Sequence, residues 1–282
     1  MTGPAKMDKI ILLGAKGMLG SDVYSLCGKD NITPLDLPEF DITDKGQLEK
    51  NLEDANIIVN CAAFTDVEKS ESQSDQAFKV NAEAVKNLAQ IARKKNIYLI
   101  HVSTDFVFDG KKETPYIETD RTNPINVYGK SKLEGEMLLA KNHNLYAIIR
   151  IQCTYGKNGN NFITKLISLS HQKSSFKVVN DQFGSPTWTQ EAAKVIREFI
   201  SKKPQGLFHY APAGFVSRCD VAKFAFEKLR INTPVTPCKS SEFPTAAQRP
   251  ASSRFCCDKI QSLLDKPIEL WQKPLERFLK TL

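Results

Sequence analysis

The fold is decided near the amino terminus by the stretch Ile10-Ile11-Leu12-Leu13-Gly14-Ala15-Lys16-Gly17-Met18-Leu19-Gly20. Consecutive apolar residues of this kind are typical of a strand that is buried on both faces of a sheet. The glycines that follow, at every third position, predict a tight turn from which a helix begins close to the strand. The stretch therefore predicts a strand–turn–helix unit at the start of a parallel sheet.

The rest of the first half repeats this alternation. Short apolar runs predict further strands at residues 57–59, 98–102 and 147–151, and apolar residues at helical spacing predict helices over 75–92 and around 130–139. Buried strands separated by helices need right-handed crossover connections. We therefore expect an α/β fold with a Rossmann-type, doubly wound parallel sheet.

The second half is less regular and contains more proline. Loops are predicted at residues 156–161 and 181–186, a helical stretch through Ile167, a strand at 207–210 and a helix at 220–229. Thr187 with Gln190 is expected to form a capping box, which opens a helix whose apolar face is Ala192, Val195, Ile196, Phe199 and Ile200. We expect a Rossmann domain over residues 1–155, with a contribution from about 186–211. The remainder of 156–282 is expected to form a smaller, partly interleaved lobe that binds the substrate.

Composition excludes several classes of protein. The 282-residue chain has a formal net charge of +7, but its lysines are scattered, whereas a nucleic-acid interface needs clustered basic residues. Seven cysteines without a C-x-x-C pair, and four dispersed histidines, predict reduced thiols and no metal site. No stretch has the length of a membrane span or a signal peptide, and the residues before Met7 are expected to be a loose leader. We therefore expect a cytoplasmic protein without a nucleic-acid or membrane partner.

The glycine turn predicts a dinucleotide site. Its glycines let the backbone approach a pyrophosphate, and the helix amino terminus adds partial positive charge there. The cofactor-binding residues are expected to include Asp36, which would meet the adenosine ribose and favour NAD(H). The alternative is that Asp36 has a structural role alone, at the start of a turn. Asp41 and Ile42 are expected at the adenine edge. The turn itself contributes the residues Gly14, Lys16, Gly17, Met18, Leu19 and Gly20.

A tyrosine and a lysine predict the type of reaction, proton donation to a carbonyl group. Tyr128 and Lys132 are four residues apart, so on a helix they share one face. A phenol is a reluctant proton donor at neutral pH, and we expect the ammonium group of Lys132 to lower its pKa. Ser103 and Thr104 end a predicted strand, where their hydroxyls can hydrogen-bond to a carbonyl oxygen. The pattern predicts a nicotinamide-dependent reductase.

The chain resembles the extended short-chain dehydrogenases/reductases, and more closely the dTDP-4-dehydrorhamnose reductase family. The resemblance rests on residues 14–20, 40–43, 60–68, 102–108, 126–132, 159–162, 180–187 and 249–253. It implies that Thr104, Tyr128 and Lys132 act in hydride transfer from NADPH or NADH to the C4 keto group of a dTDP-linked 6-deoxyhexose. The residues that it places along the cofactor are Cys61, Ala62, Ala63, Thr65 and Val102. Those that it places at the sugar or its nucleotide are Asp105, Phe106, Cys153, Asn161, Gln182 and Arg249.

Alternatives remain for three of these residues. Each could have a purely structural role instead: Asn161 as a helix cap, Gln182 as part of a turn, and Arg249 as the partner of a surface acid. The resemblance is also compatible with a monomer or a homodimer and with a magnesium ion, which bridges a dimer among relatives.

A contrast with related dehydratases and a departure from the family bear on the reaction. Phe106 stands where related dehydratases carry an acidic residue, which favours simple reduction. Gln152 and Cys153 stand where the family has a Ser-Trp pair, so the wall that faces the sugar is expected to differ. The alternative functions are a regulatory subunit of the kind that partners methionine adenosyltransferase, and a sugar-nucleotide epimerase or dehydratase.

Overall fold

The computed structural model describes residues 8–28 and 31–282, so the expected leader before Met7 lies outside the described residues. The strands are β1 Ile10–Leu13, β2 Ile32–Leu35, β3 Ile57–Asn60, β4 Tyr98–Thr104, β5 Tyr146–Ile151, β6 Thr154–Tyr155, β7 Phe176–Val179, β8 Phe183–Gly184, β9 Thr187–Trp188, β10 Gly206–Tyr210, β11 Val216–Ser217 and β12 Val235–Cys238. The α-helices are α1 Met18–Cys27, α2 Lys45–Asn51, α3 Val67–Ser72, α4 Ser74–Phe78, α5 Ala84–Lys95, α6 Val127–Asn142, α7 Phe162–Ser170, α8 Thr189–Lys202, α9 Arg218–Leu229, α10 Asp258–Gln261 and α11 Gln272–Leu279.

A six-stranded parallel sheet forms the centre of the fold, in the order β2-β1-β3-β4-β5-β10. The chain leaves β1 on one side to form β2 and returns on the other side to form β3. In open parallel sheets, ligands bind beyond the carboxyl ends of the strands at such a reversal. The predicted Rossmann-type fold class is confirmed.

The core lies on both faces of this sheet. Ile11 and Leu13 of β1 face α2 and α5, whereas Ile10 and Leu12 face α1 and α8. Each large apolar side chain buried in this way contributes about 1.5–3 kcal/mol to folding. The predicted apolar face of α8 is confirmed, because its members are buried or nearly so: Ala192, Val195, Ile196, Phe199 and Ile200.

The predicted helix over residues 75–92 is interrupted by a π-helical turn, Lys79–Glu83. Its Asn81 is fully buried and donates from Nδ2 to Ser131 Oγ on α6, at 2.9 Å. Asn81 Oδ1 also accepts from the backbone N–H of Phe64, at 2.8 Å. Inserted turns of this type are frequent at functional sites. Here the turn ties α6 to the loop that follows β3.

The predicted capping box at Thr187 and Gln190 is wrong. Thr187 pairs with Thr154 between β9 and β6, and its hydroxyl donates to Ser185 O. The helix α8 begins two residues later without a side-chain cap, and Thr189 Oγ1 donates to Asp22 Oδ2 on α1, at 2.5 Å. Long-range pairing therefore takes the place of the local cap.

Two smaller apolar clusters occupy the rest of the second half. One packs α9 and α11 around Trp188 and Phe278, and the other packs α7 and α9 against the parallel pair β7 and β12. Of the helices in the described part of the chain, none combines the length and the apolar character needed to cross a membrane.

Candidate active site

A cleft of about 1070 Å³ lies beyond the carboxyl ends of β1, β3, β4 and β5. It runs from the glycine turn to the loops of the second half. A single small-molecule pocket typically has 300–1,000 Å³, so this cleft is large enough for a cofactor and a substrate side by side.

The glycine turn forms one end of the cleft. Gly14 has φ of 77°, and a Cβ at this position would lie 2.6 Å from the backbone N of Ala62. Only glycine therefore lets the turn approach the end of β3 so closely. Helix α1 begins directly after Gly17, and its amino terminus borders the cleft. Such a cradle fits a dinucleotide, because helix amino termini favour phosphate groups.

Asp36 follows β2 at the edge of the same cleft. Its Oδ2 accepts from the backbone N–H of Lys16 at 2.7 Å, and its Oδ1 accepts from that of Leu37 at 2.8 Å. Lys16 Nζ in turn pairs with Glu39 Oε2 at 2.6 Å. Asp36 therefore both lines the cleft and holds the turn, so the two interpretations of this residue are compatible.

Helix α6 brings Tyr128 and Lys132 to the cleft, one turn apart. Asn126 caps this helix by accepting from Gly129 N at 2.7 Å. A Cβ at Gly129 would lie 2.1 Å from Phe106 O, so glycine is what allows α6 to approach the end of β4. The ring of Phe106 then meets the ring of Tyr128 edge to face, with centroids 5.8 Å apart.

The electrostatics of this pair differ from the expectation. Burial raises the pKa of Tyr128 to about 12, and the Thr104 hydroxyl offsets this in part. The net direction is upward, and Lys132 Nζ donates to Val102 O at 2.8 Å. The expectation that Lys132 lowers the Tyr128 pKa is therefore wrong for this arrangement. Burial also lowers the pKa of Lys132 itself to about 8.

The end of β4 carries three buried polar side chains. Thr104 Oγ1 donates to Asp105 Oδ1 at 3.1 Å and accepts from Phe106 N at 3.2 Å. Ser103 Oγ and Asp105 Oδ2 have no hydrogen-bond partner within the described part of the chain. Unpaired buried polar atoms are rare in proteins, so these two indicate that a polar ligand completes the site. Burial raises the pKa of Asp105 to about 6.

All but one of the site residues predicted from the sequence line the cleft. The exception is Asn161, which does not line it. Its Oδ1 accepts from Ile163 N and Thr164 N, and its Nδ2 donates to Gly156 O. The alternative that Asn161 caps a helix is therefore confirmed, and its neighbour Asn160 lines the cleft. A contact of Asn161 with the substrate stays a prediction.

Arg249 lines the cleft and also forms an ion pair, with Nη2 2.5 Å from Glu68 Oε1. The cleft residues that were not predicted from the sequence include Gln152, Arg218 and Ser253. Arg218 opens helix α9, and Ser253 closely follows Arg249 in sequence. Arg218 had no motif that could have revealed it, whereas Gln152 had its departure from the family pattern.

Metal ligands do not cluster in residues 8–28 and 31–282: no three His, Cys, Asp or Glu side chains there could hold one ion. The magnesium ion implied by the resemblance stays a prediction.

The Rossmann sheet, the glycine cradle and the Tyr128–Lys132 pair define the class of protein, a nicotinamide-dependent oxidoreductase of the extended short-chain type. Comparison with known proteins specifies the family. Residues 7–282 match the family model described as RmlD substrate binding domain. A dTDP-4-dehydrorhamnose reductase of Sinorhizobium fredii is 34% identical over 285 residues, which cover 96% of each chain. That of Aggregatibacter actinomycetemcomitans is 35% identical over 287 residues, covering 96% of this chain and 98% of the relative.

Solved structures of similar proteins point to the same family. The dTDP-4-dehydrorhamnose reductase of Bacillus anthracis, in complex with NADP, superimposes with a TM-score of 0.95 at 32% identity and covers 98% of this chain and 100% of that chain. The ortholog from Clostridium acetobutylicum gives 0.92 at 36% identity, with 96% and 98% covered. The chain belongs to the dTDP-4-dehydrorhamnose reductase family.

Proposed function

We propose that this protein uses NAD(P)H to reduce the C4 keto group of a dTDP-linked 6-deoxysugar. The observation that carries the proposal is the convergence of Thr104, Tyr128 and Lys132 on one cleft that also contains the glycine cradle. The names of its relatives, which include a dTDP-4-keto-6-deoxy-D-glucose reductase of Streptomyces niveus at 33% identity, support the same reaction.

In this proposal the nicotinamide supplies a hydride to the carbonyl carbon. Tyr128 donates the proton to the carbonyl oxygen, and its raised pKa keeps the phenol in the protonated form that reduction requires. The Ser103 hydroxyl, which has no partner among the described residues, hydrogen-bonds to the same oxygen, and the Thr104 hydroxyl turns to it from Asp105 Oδ1. Both stabilise the negative charge that develops there. Lys132 is positioned to hold the hydroxyls of the nicotinamide ribose.

The second half of the chain supplies the groups for the nucleotide. Arg218 and Arg249 both line the cleft, and their positive charge suits a diphosphate. Gln182 lies on the same wall. We therefore propose residues 156–282 as the main substrate-binding part. Strand β10 and helix α8 are excluded, because β10 belongs to the central sheet and α8 packs against it.

We propose that both NADH and NADPH serve. The Asp36 carboxylate suits a free 2′-hydroxyl, since it would repel a 2′-phosphate. Lys16, next to it in the cleft and close to Glu39, offers the positive charge that a 2′-phosphate needs. The complex of the Bacillus anthracis relative with NADP supports the use of NADPH.

The test is to follow the absorbance of NADPH and NADH with enzymatically prepared dTDP-4-dehydrorhamnose and related 4-keto sugars. Oxidised cofactor should appear in proportion to the reduced sugar, which an epimerase or dehydratase that recycles bound NAD would not produce. Cofactor binding without turnover of any of these sugars would refute the proposal.

A further inference from the structure

Gln152 occupies the place where a substrate would meet the end of β5. It follows the last residue of the strand, is 1% exposed and lines the cleft. The next residue, Cys153, has a φ of 46°, in the left-handed region, so the chain turns sharply here. A Cβ at Gly184 would lie 2.9 Å from both Gln152 Oε1 and Cys153 Sγ. The glycine at 184 therefore leaves the space that these two side chains occupy.

The orientation of the Gln152 amide is fixed by its neighbours. Its Oε1 accepts from the backbone N–H of Ser185 at 3.2 Å and from Ser253 Oγ at 3.4 Å. An amide nitrogen cannot accept from the backbone N–H, so a flipped amide is disfavoured. The Nε2 group is therefore the part of the amide that is available to a ligand, and it is buried without a hydrogen-bond partner among the described residues.

An acceptor lies on the same wall. Asp105 Oδ2 is also buried and unpaired within the described ranges, while Oδ1 is held by Thr104. Ser253 Oγ, which donates to Gln152 Oε1, is also among the groups that lower the pKa of Asp105, so it is a shared neighbour of the two side chains. A donor and an acceptor that line one cleft match a hydroxyl group, which accepts one hydrogen bond and donates another. A methyl or methylene group could do neither.

We propose that Gln152 Nε2 and Asp105 Oδ2 form a subsite that binds a sugar hydroxyl on the carbon next to the keto carbon. The position follows from the chain: Asp105 directly follows Thr104, whose hydroxyl is assigned to the keto oxygen, so the two sugar oxygens belong to neighbouring carbons. This inference rests on the proposed reductase function and adds Gln152 to the residues that recognise its sugar.

The experiment compares kcat/KM for dTDP-4-dehydrorhamnose and for its 3-deoxy analogue. Wild type should favour the hydroxylated sugar by roughly 10- to 100-fold, because the analogue leaves buried polar groups unpaired. Gln152→Leu should reduce this preference to a few-fold. Gln152→Glu, which keeps the acceptor for Ser185 and replaces the donor, should lose turnover of the hydroxylated sugar more than that of the analogue.

Gln261→Leu is the matched control. Its amide is paired with Lys266 O and Ile268 N outside the cleft, so its preference should equal that of wild type. Equal turnover of both sugars by wild type, or an unchanged preference in both Gln152 variants, would overturn the subsite and leave the reductase function intact. Absence of turnover with both sugars would overturn the function and the subsite together.

Discussion

Lys132 Nζ lies 3.3 Å from Nε2 of His101, a histidine that is completely buried within β4. The direction of the hydrogen bonds around this contact can be worked out. Asn60 Oδ1 accepts from Ala62 N at 3.0 Å, so Asn60 Nδ2 is the atom that faces His101 Nδ1, at 3.1 Å. An amide nitrogen can only donate, and His101 therefore carries its proton on Nε2, which points at Lys132.

This arrangement disfavours a charged lysine. Burial holds the pKa of His101 well below its usual value, so the imidazole is neutral and its Nε2–H faces Lys132 as a donor. A neutral amine can accept that proton, whereas an ammonium group cannot. The negative charge of Glu136, one turn further along α6, acts in the opposite direction and favours the charged form of Lys132.

Asn60→Asp should reverse the chain of hydrogen bonds. A carboxylate accepts from His101 Nδ1–H, which leaves Nε2 as an acceptor for the Lys132 ammonium. The pH at which Lys132 loses its proton, near 8 in wild type, should then rise by about one pH unit or more. A ¹⁵N NMR titration measures this, with the signal assigned by its loss in Lys132→Met. Asn56→Asp, at the exposed opposite end of β3, is the control, and an unchanged titration in Asn60→Asp would contradict the assignment.

Tyr128→Phe removes the proton donor without changing the ring. We expect kcat to fall by roughly 10²–10⁴, the usual contribution of a general acid, and the Kd of NADPH to stay within about two-fold. Because the Tyr128 pKa is near 12, reduction by wild type should show no loss of the donor between pH 6 and about pH 9. Steady-state kinetics and fluorescence titration of the cofactor measure both. Tyr146→Phe, at the start of β5 and far from the cleft, should retain normal turnover; near-normal turnover in Tyr128→Phe would refute the role.

Gly129→Ala should push α6 away from the end of β4. The added Cβ would meet the Phe106 carbonyl, which belongs to the backbone and cannot rotate aside. We expect the free energy of unfolding to fall by about 1–3 kcal/mol and kcat to fall with it, since Tyr128 moves with the helix. Urea denaturation and kinetics measure these effects. Gly46→Ala, exposed on α2, should leave both nearly unchanged, and equal behaviour of the two variants would show that the close approach is unimportant.

Arg150→Met should strongly destabilise the protein. Arg150 makes two hydrogen bonds to the Glu136 carboxylate, at 2.6 and 2.9 Å, and both side chains are buried. Loss of one partner leaves the other charge buried and unpaired, which lowers the free energy of unfolding by about 3–5 kcal/mol. Replacing both residues with Met should restore much of this loss in a urea denaturation series. Lys9→Met, which removes an exposed pair with Asp54, should change stability by less than about 1 kcal/mol.

Asp105→Asn should increase stability at neutral pH. Burial raises the folded-state pKa of Asp105 from 3.8 to about 6, so the folded protein binds this proton more tightly than the unfolded chain. The favourable contribution of the protonated form is complete below about pH 4 and is lost as pH rises through 6. At pH 7 the Asn variant should therefore unfold with a free energy about 1–3 kcal/mol higher than wild type, and the difference should shrink below pH 4. An equal difference at pH 4 and pH 7, measured by urea denaturation, would contradict the shift.

Local pattern sufficed to predict the central sheet, because buried apolar runs and helical periodicity are properties of neighbouring residues. Phe199 and Val195, for example, could be assigned to one apolar face from their spacing alone. Thr187 could not be placed in the same way, since its pairing with Thr154 competes with a cap that is just as good locally. Asn161 shows the converse: the helix cap that it forms could be anticipated from the local sequence, whereas the family role expected of it depends on a ligand. The subsite at Gln152 depends on Ser185 and Ser253, which are far from it in sequence.

The position of β10 has a consequence for synthesis of the chain. Ile10 and Leu12 of the first strand share one apolar face of the sheet with Phe208 of β10, and residues of α8, among them Phe199, pack on that face. A nascent chain that ends near residue 155 therefore still exposes one apolar face of its sheet. This face is completed only when residues up to Tyr210 have been synthesised, and during that interval chaperones that bind apolar strands can engage it.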